Sequence, residues 1–460
     1  MFENFLEDID FIYPVLKVLN GSNAEIKQYI DEIESLRDKG RKFISENRYR
    51  IDKAEIETEK DPRFLDQDLL KSGAKYKFFS LIIPKEWGGS SVRTLPYAFF
   101  VEDLSSVSSG VATIFGAHSL GLLPVLFSPF SLSFSKFMQD VVESEKSYPL
   151  IYALGLTEPT GGSDVQQDHE VLKVAKITTR ARRTKGGYIL NGRKVFISNG
   201  SIANYITVAA SPELGKIIWV LLDTSSKGFS VSRVENKMGQ KPSHAAEIVF
   251  DEVFVPDEMI LADSDIGYKI SELTLSVSRA PVGAIATGIA KGLIKSAVEN
   301  VGDFKEHQAY KIAEAYSKLY IARNLWIASC IFIDLAGPMK VQNSKIFKIL
   351  LNISSNVPYG VSRKLGRLLG EKMKNKILDI FSENLSKVSI YSSIAKAYSS
   401  WIAYEICTSC MDLLGEKGID KSKISERLWR DIKLTHIYET TNEVNNIMIF
   451  KNLFGKTGII

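Results

Sequence analysis

Cysteine is scarce. Cys330, Cys407 and Cys410 are the only three in 460 residues. They are too few, and odd in number, for a disulfide framework, so a reducing compartment is expected. Cys407 and Cys410 form a CxxC, but it sits in "SSWIAYEICTSCMDLL", a helical pattern with no second Cys or His pair after it. Two small core residues one helical turn apart is the preferred reading, and no metal site is expected. Charge of one sign is lacking as well. A net charge of +4 is small for this length and gives no reason to propose nucleic acid. The start, "MFENFLEDID", lacks the basic opening and apolar run of a signal peptide. The longest apolar run, "LWIASCIFI", is too short to span a bilayer. Internal repeats and low-complexity tracts are missing too. A cytoplasmic protein is expected, or one in an organelle matrix after processing. The N-terminal twenty residues are expected to pack as a helix on another part of the molecule.

What is present is a globular composition, 45% hydrophobic and 24% charged, in a chain long enough for about two or three domains. The hydrophobic period divides it into three zones. Residues 1–148 read as helical. "NAEIKQYIDEIESLRDKGRKFI" is amphipathic, "IPKEWGG" is a turn, and "LPYAFFVEDLSSVSSGVATIFGAHSLGLLPVLF" suggests a buried helix pair. Over 149–265 the period changes to two. "KITTRARRTKGGYILNGRKVFISNG" alternates, with a Lys-Gly-Gly turn and an Asn-Gly turn, and "YITVAAS", "KIIWVLLDT", "FSVSRV" and "AEIVFDEVFVP" continue the strands. Helices return over 266–460 and suggest a bundle. The expected fold is α+β: an N-terminal helical domain, a middle antiparallel β domain and a C-terminal helical bundle.

One stretch carries chemistry. "RDIKLTHIYETTNE" (430–443) runs from an apolar helix into an acidic turn. It places a carboxylate, Glu439, beside an aromatic ring. A Glu at a helix end is ordinarily a solvated or capping residue. Further segments give it another meaning. "ALGLTEPTGGSDV" (153–165), "LNGRKVFISNG" (190–200), "MGQKPSHAAEIVFDEVFVP" (238–256), "SRAPVGAIATGIAKG" (278–292) and "RLWRDIKLTHIYETTNE" (427–443) occur in order. Together they resemble the acyl-CoA dehydrogenase family over roughly residues 80–455, with one long interruption.

The resemblance implies FAD as cofactor and a fatty acyl-CoA as substrate. The implied reaction removes the α-proton of the thioester and transfers the β-hydrogen to flavin. Glu439 is the implied base, and its own backbone N–H the implied donor to the thioester oxygen. The family's other base position precedes the arginine of "SRAP" and is Ser278 here, which cannot serve. Leu156 and Thr157 would face the flavin, with Thr441 also on the cofactor, and Ser163 would lie near the flavin or the CoA chain. Phe196, in place of the more usual Trp, would stack on the ring, and Ser198, two residues on, would bond near its reactive nitrogen. Arg279 would line the same cleft, with Tyr438 and Gly116 at the substrate. Gly116, in "TIFGAHSLG" (113–121), would admit a longer acyl tail. Val111 stands where an arginine would bind a second carboxylate, so a dicarboxylyl substrate is not expected. Electrons would pass to an electron-transfer flavoprotein or similar acceptor, and the chain would form a homodimer or homotetramer. Alternatives are a catalytically silent relative and an acyl-CoA oxidase.

The chain departs from the family pattern. Thr440 replaces a glycine, which requires a turn in right-handed or extended conformation, or a strained one. The arginine segment before "HQ" is missing, and Asp412 and Glu416 stand where glutamine and glycine are expected. The half of the FAD site formed across subunits is thereby altered. Residues 337–386 interrupt the bundle and are rich in Lys and Arg. They fit a helical hairpin covering the bundle, or a docking face for a partner protein or an anionic membrane.

Overall fold

The computed structural model describes residues 24–162, 177–301, 304–342 and 344–455. The N-terminal twenty residues and Ser163 lie outside the described residues. The described residues open with α1 (Ala24–Lys60), α2 (Gln67–Lys75), α3 (Thr94–Ser105), α4 (Ser109–Phe127) and α5 (Ser135–Ser144). Side-chain caps start two of them. The Asp66 carboxylate accepts from Leu69 N at 2.8 Å, and Ser108 Oγ accepts from Val111 N at 3.1 Å. Helices α3 and α4 are buried on nearly all sides, as the mostly apolar pattern suggests.

Among the described residues eight strands follow: β1 (Tyr152–Gly155), β2 (Arg180–Thr184), β3 (Gly187–Ser198), β4 (Tyr205–Ala210), β5 (Ile218–Asp223), β6 (Phe229–Val234), β7 (Ala245–Pro256) and β8 (Ile260–Ala262). They form two four-stranded sheets, ordered β1-β4-β5-β8 and β2-β3-β7-β6. The sheets are not wholly antiparallel, because β1 pairs with β4 in parallel. The chain leaves β1, builds the β2–β3 hairpin of the other sheet, and returns to β4 in the same direction. Lys185 and Gly186 make the turn of that hairpin, with Gly186 at φ 81°. Asn191–Gly192 is no turn. It is a bulge within β3, where the register against β7 shifts. Asn199–Gly200 makes the turn that ends the strand.

The last zone is helical: α6 (Gly267–Val301), α7 (Glu306–Ala336), α8 (Pro338–Gln342), α9 (Lys345–Asn356), α10 (Tyr359–Phe381), α11 (Leu385–Leu414), α12 (Ile424–Ile432) and α13 (Asn442–Phe454). The small residues of "SRAPVGAIATGIAKG" have a packing reason. A Cβ added at Gly288 would lie 2.2 Å from the Glu102 carbonyl oxygen, so α6 presses directly on α3. A buried ion pair, Arg323 to Glu102 at 2.8 Å, ties α7 to the same place. The CxxC cysteines are free and buried on α11. Among the described residues, three helical segments, 109–127, 267–301 and 306–341, are long and apolar enough to cross a membrane by length and composition alone. The most apolar stretches of the first two are 83% and 89% buried within the protein, so their apolar character is used in the core.

Candidate active site

An apolar cavity of about 890 Å³, mouth included, lies where α3, α4, α6 and the end of β3 meet the loop before α13. Glu439, Tyr438 and Ser278 line it, with Ser198 from β3, Gly116 from α4 and Met339 from α8. Residues far apart in sequence thus share one wall. The resemblance motifs supply Glu439, Tyr438, Ser278, Ser198 and Gly116.

Glu439 follows α12 and a short turn, Lys433–His436. The Ser278 hydroxyl donates to Glu439 Oε2 at 2.6 Å. The serine that cannot be a base therefore holds the base. Burial pushes the Glu439 carboxyl above its ordinary value. The Ser278 hydrogen bond and the charges of Arg279 and Lys396 oppose that push without cancelling it. Glu439 and Thr440 both adopt left-handed conformations, φ 51° and 75°. Of the options open to a threonine at this turn, the strained one is realised.

The strain is held from behind. Lys396 of α11 is buried, and its ammonium donates to His436 O at 3.0 Å, Thr440 O at 2.6 Å and Asn442 Oδ1 at 2.8 Å. Three donors meet three acceptors, although burial lowers its pKa to about 7. Asn445 Nδ2 donates to Thr440 O and Thr441 O, both at 3.0 Å. Thr441 Oγ1 caps α13 by accepting from Val444 N at 3.4 Å. Arg279 does not line the cavity. It is 1% exposed behind the loop, with Nη1 3.3 Å from Ser393 Oγ and Nη2 3.4 Å from Thr440 Oγ1. An arginine expected at the substrate is instead part of the loop's backing, and burial lowers its pKa to about 10.

A second network joins the cavity to the β domain. Gln240 donates through Nε2 to the Tyr438 hydroxyl at 3.3 Å and through its backbone N–H to Asp431 Oδ1 at 2.5 Å. Ser109 Oγ donates to the other Asp431 oxygen at 2.7 Å, and Thr113 Oγ1 to Gln240 Oε1 at 3.1 Å. Sequence reading gave no role to Gln240, Asp431 or Lys396. The first two lay within quoted motifs, but nothing local marked either as a bridge.

On the sheet side, Phe196 is 61% exposed at φ 56°, and Ser198 reaches the cavity. A second register shift, between Lys194 and Ile197, breaks the simple alternation assumed for the pair. Leu156 is buried, and Thr157 O accepts from Val195 N at 2.9 Å. Beneath this turn lies an ion pair that sequence reading also missed. Lys194 Nζ is 2.7 Å from Glu158 Oε1 and 3.1 Å from Leu156 O. Glu158 accepts from Thr178 N at 2.5 Å and Thr179 N at 2.9 Å. An exposed aromatic face, a cavity-lining hydroxyl and a rigidly braced turn fit the flat ring of a flavin.

Helices, two sheets and a helical bundle around one apolar cleft define a three-part α+β fold. Three profiles of one family match it in chain order: the acyl-CoA dehydrogenase N-terminal domain over residues 30–128, the middle domain over 153–253 and the C-terminal domain over 369–454. The chain belongs to the acyl-CoA dehydrogenase family, which comprises FAD-using oxidoreductases. An acyl-CoA dehydrogenase of Bacillus subtilis is 28% identical over 85% of this chain and 90% of its own. A chain in a structure of the electron transferring flavoprotein of Acidaminococcus fermentans matches with TM-score 0.70 and 25% identity, over 92% of this chain and 98% of that one. An acyl-CoA dehydrogenase from Bacillus anthracis, complexed with FAD, matches with TM-score 0.73 and 21% identity, over 94% of this chain and 68% of that one.

Proposed function

We propose that this chain is an FAD-dependent dehydrogenase of fatty acyl-CoA thioesters, passing electrons to an electron-transfer flavoprotein and working as a homodimer or homotetramer. The observation that carries the reading is the pairing of the Glu439 carboxylate with Ser198 on the walls of one apolar cavity. Phe196, Ser198, Leu156 and Thr157 would hold the flavin. When bound, FAD supplies the acceptor for the hydrogen leaving the β-carbon.

The chain's own residues do the rest. Glu439 takes the α-proton, and its raised pKa makes it a stronger base than a solvated carboxylate. Ser278 aims the carboxylate through its hydrogen bond. With an acyl chain filling the cavity, its apolar walls exclude water, so charge developing on the thioester oxygen is felt strongly by the Glu439 N–H. Gly116 supports a long acyl tail, because an added Cβ there would meet only the Tyr97 hydroxyl, at 3.9 Å.

Glu439→Gln tests the reading. The variant should keep the oxidised-flavin spectrum and lose most anaerobic bleaching by acyl-CoA. Bleaching at the parent rate would reject Glu439 as the base. A series of saturated acyl-CoAs, run against the parent and Gly116→Leu, reads the tail pocket. The variant should shift its preference to shorter chains.

A further inference from the structure

The segment from α8 to α10 (338–381) holds nine basic residues against two acidic ones, in a chain whose net charge is only +4. The rest of the chain is therefore net acidic, and the basic charge is concentrated here. The fold sorts that charge into two sets. The inward set docks the segment. Arg363 pairs with Glu258 at 2.5 Å, and Arg367 Nη2 donates to Glu258 O at 2.5 Å. Lys374 reaches Asp263 at 2.7 Å and Asp265 at 3.1 Å. Ser354 Oγ of α9 accepts from Trp87 Nε1 at 2.9 Å. Gly370 lets α10 close on the N-terminal helices, since a Cβ there would fall 2.3 Å from the Phe130 ring. The segment is a fixed part of the molecule.

The outward set is different. Lys345, Lys364, Lys372 and Lys376 are exposed and make no ion pair among the described residues. Beside them α9 turns out Ile346, Ile349 and Ile353, which are 76%, 59% and 43% exposed. Their spacing of three and four places them on one stripe. On α10, Val361 and Leu368 are each 52% exposed, seven residues apart and so on one side as well. Exposed aliphatic side chains among unpaired lysines need a partner that is apolar in depth and anionic at its surface.

We propose that the outer face of α9 and α10 docks on an anionic lipid bilayer. The division of labour between cations favours lipid over a protein partner. Both arginines are engaged within the molecule, Arg363 on the Glu258 carboxylate and Arg367 on the Glu258 carbonyl, while the exposed cations on these two helices are lysines. Lysine's long stem can lie along an apolar surface with its ammonium at the headgroups. Protein interfaces enrich arginine and aromatic residues and deplete lysine. Here the exposed apolar residues on the α9 stripe are all isoleucine.

Co-sedimentation of the full-length, FAD-loaded protein with vesicles decides the matter. The protein should pellet with phosphatidylcholine–phosphatidylglycerol vesicles, pellet little with phosphatidylcholine alone, and be released by high salt. Ile346→Ser/Ile349→Ser should weaken binding by about tenfold or more, with melting temperature and flavin spectrum unchanged. Lys345→Glu/Lys372→Glu should weaken it on anionic vesicles specifically. Failure of the parent to pellet with anionic vesicles at low salt overturns the proposal, as does undiminished binding by the isoleucine variant. Light scattering supplies one more refutation. If the isoleucine variant lowers the oligomeric state, the occupant of this face is a second copy of the chain.

Discussion

Ser278→Ala probes the site with a single hydroxyl. Ser278 Oγ sits 2.6 Å from Glu439 Oε2 and favours the ionised carboxylate. A hydrogen bond to a charged group is worth about 1.5–3 kcal/mol. At about 1.4 kcal/mol per unit, its loss would raise the base's pKa by roughly 1–2 units. Glu439 opens onto the cavity, so water can partly replace the hydroxyl, and the expected rise is about 1 unit. The carboxylate is the active form, so the rate falls as pH drops through that pKa. The assay is anaerobic flavin bleaching by a saturated acyl-CoA, followed by stopped flow across pH. The acid limb should move up by about 1 unit, with most of the high-pH plateau retained. Ser278→Thr, which keeps the hydroxyl, should restore the parent limb. An acid limb that stays put in Ser278→Ala would refute the reasoning: either Glu439 does not take the proton, or the serine does not bond it.

Four further outcomes are expected. Lys194→Met strands the buried Glu158 carboxylate and should cost about 3–5 kcal/mol in denaturant unfolding, with Lys194→Met/Glu158→Gln recovering much of it. Burial opposes the Glu158 charge, but Lys194 and the Thr178 and Thr179 donors outweigh it and hold its pKa down to about 2. That stabilisation is fully present above pH 4.5 and is lost as pH falls towards 2, so the parent should lose more stability over this window than Glu158→Gln. On α4, Gly121→Ala would place a Cβ 2.8 Å from the Ala153 backbone and should cost about 1–3 kcal/mol. Gly116→Ala, with open space beside it, should be neutral or up to about 1 kcal/mol stabilising, read in the same melts.

The sequence made the period-two zone and the flanking helices plain, because burial on one face imposes the pattern directly. It made β1 hard to place. Four residues, Tyr152–Gly155, carry little periodicity, and their parallel partner lies some fifty residues on. Asn191–Gly192 looked like a turn, since the same dipeptide serves turns and bulges alike, and only pairing with β7 separates them. At the site, Glu439 and Ser278 were each legible from their motifs. Their hydrogen bond spans 161 residues and was not. Lys194 and Lys396 escaped notice for a common reason. A lysine is read as solvated until a fold surrounds it with acceptors. The basic segment misled in the other direction. Its charge looked uniform, whereas three cations are spent inside the molecule on Glu258, Asp263 and Asp265.

The loop that carries Glu439 shows how a local misfit can be tolerated. Two consecutive non-glycine residues in the left-handed region cost about 1–2 kcal/mol each, and one of them is β-branched. The loop has no such reserve of its own. The compensation comes from α11 and α13. Lys396 and Asn445 both donate to Thr440 O, and Lys396 also takes His436 O at the loop's other end. A glycine at residue 440 would let the loop adopt this path at little cost and would also let it leave. A threonine held by a buried ammonium does neither. The position of the carboxylate is therefore set by the bundle behind it. The same ammonium, together with Arg279, pulls the Glu439 pKa downward while burial pushes it up. Ser278, Arg279 and Lys396, in that order, thus limit how far the basicity of Glu439 can rise, and each of them also helps to fix where the base stands.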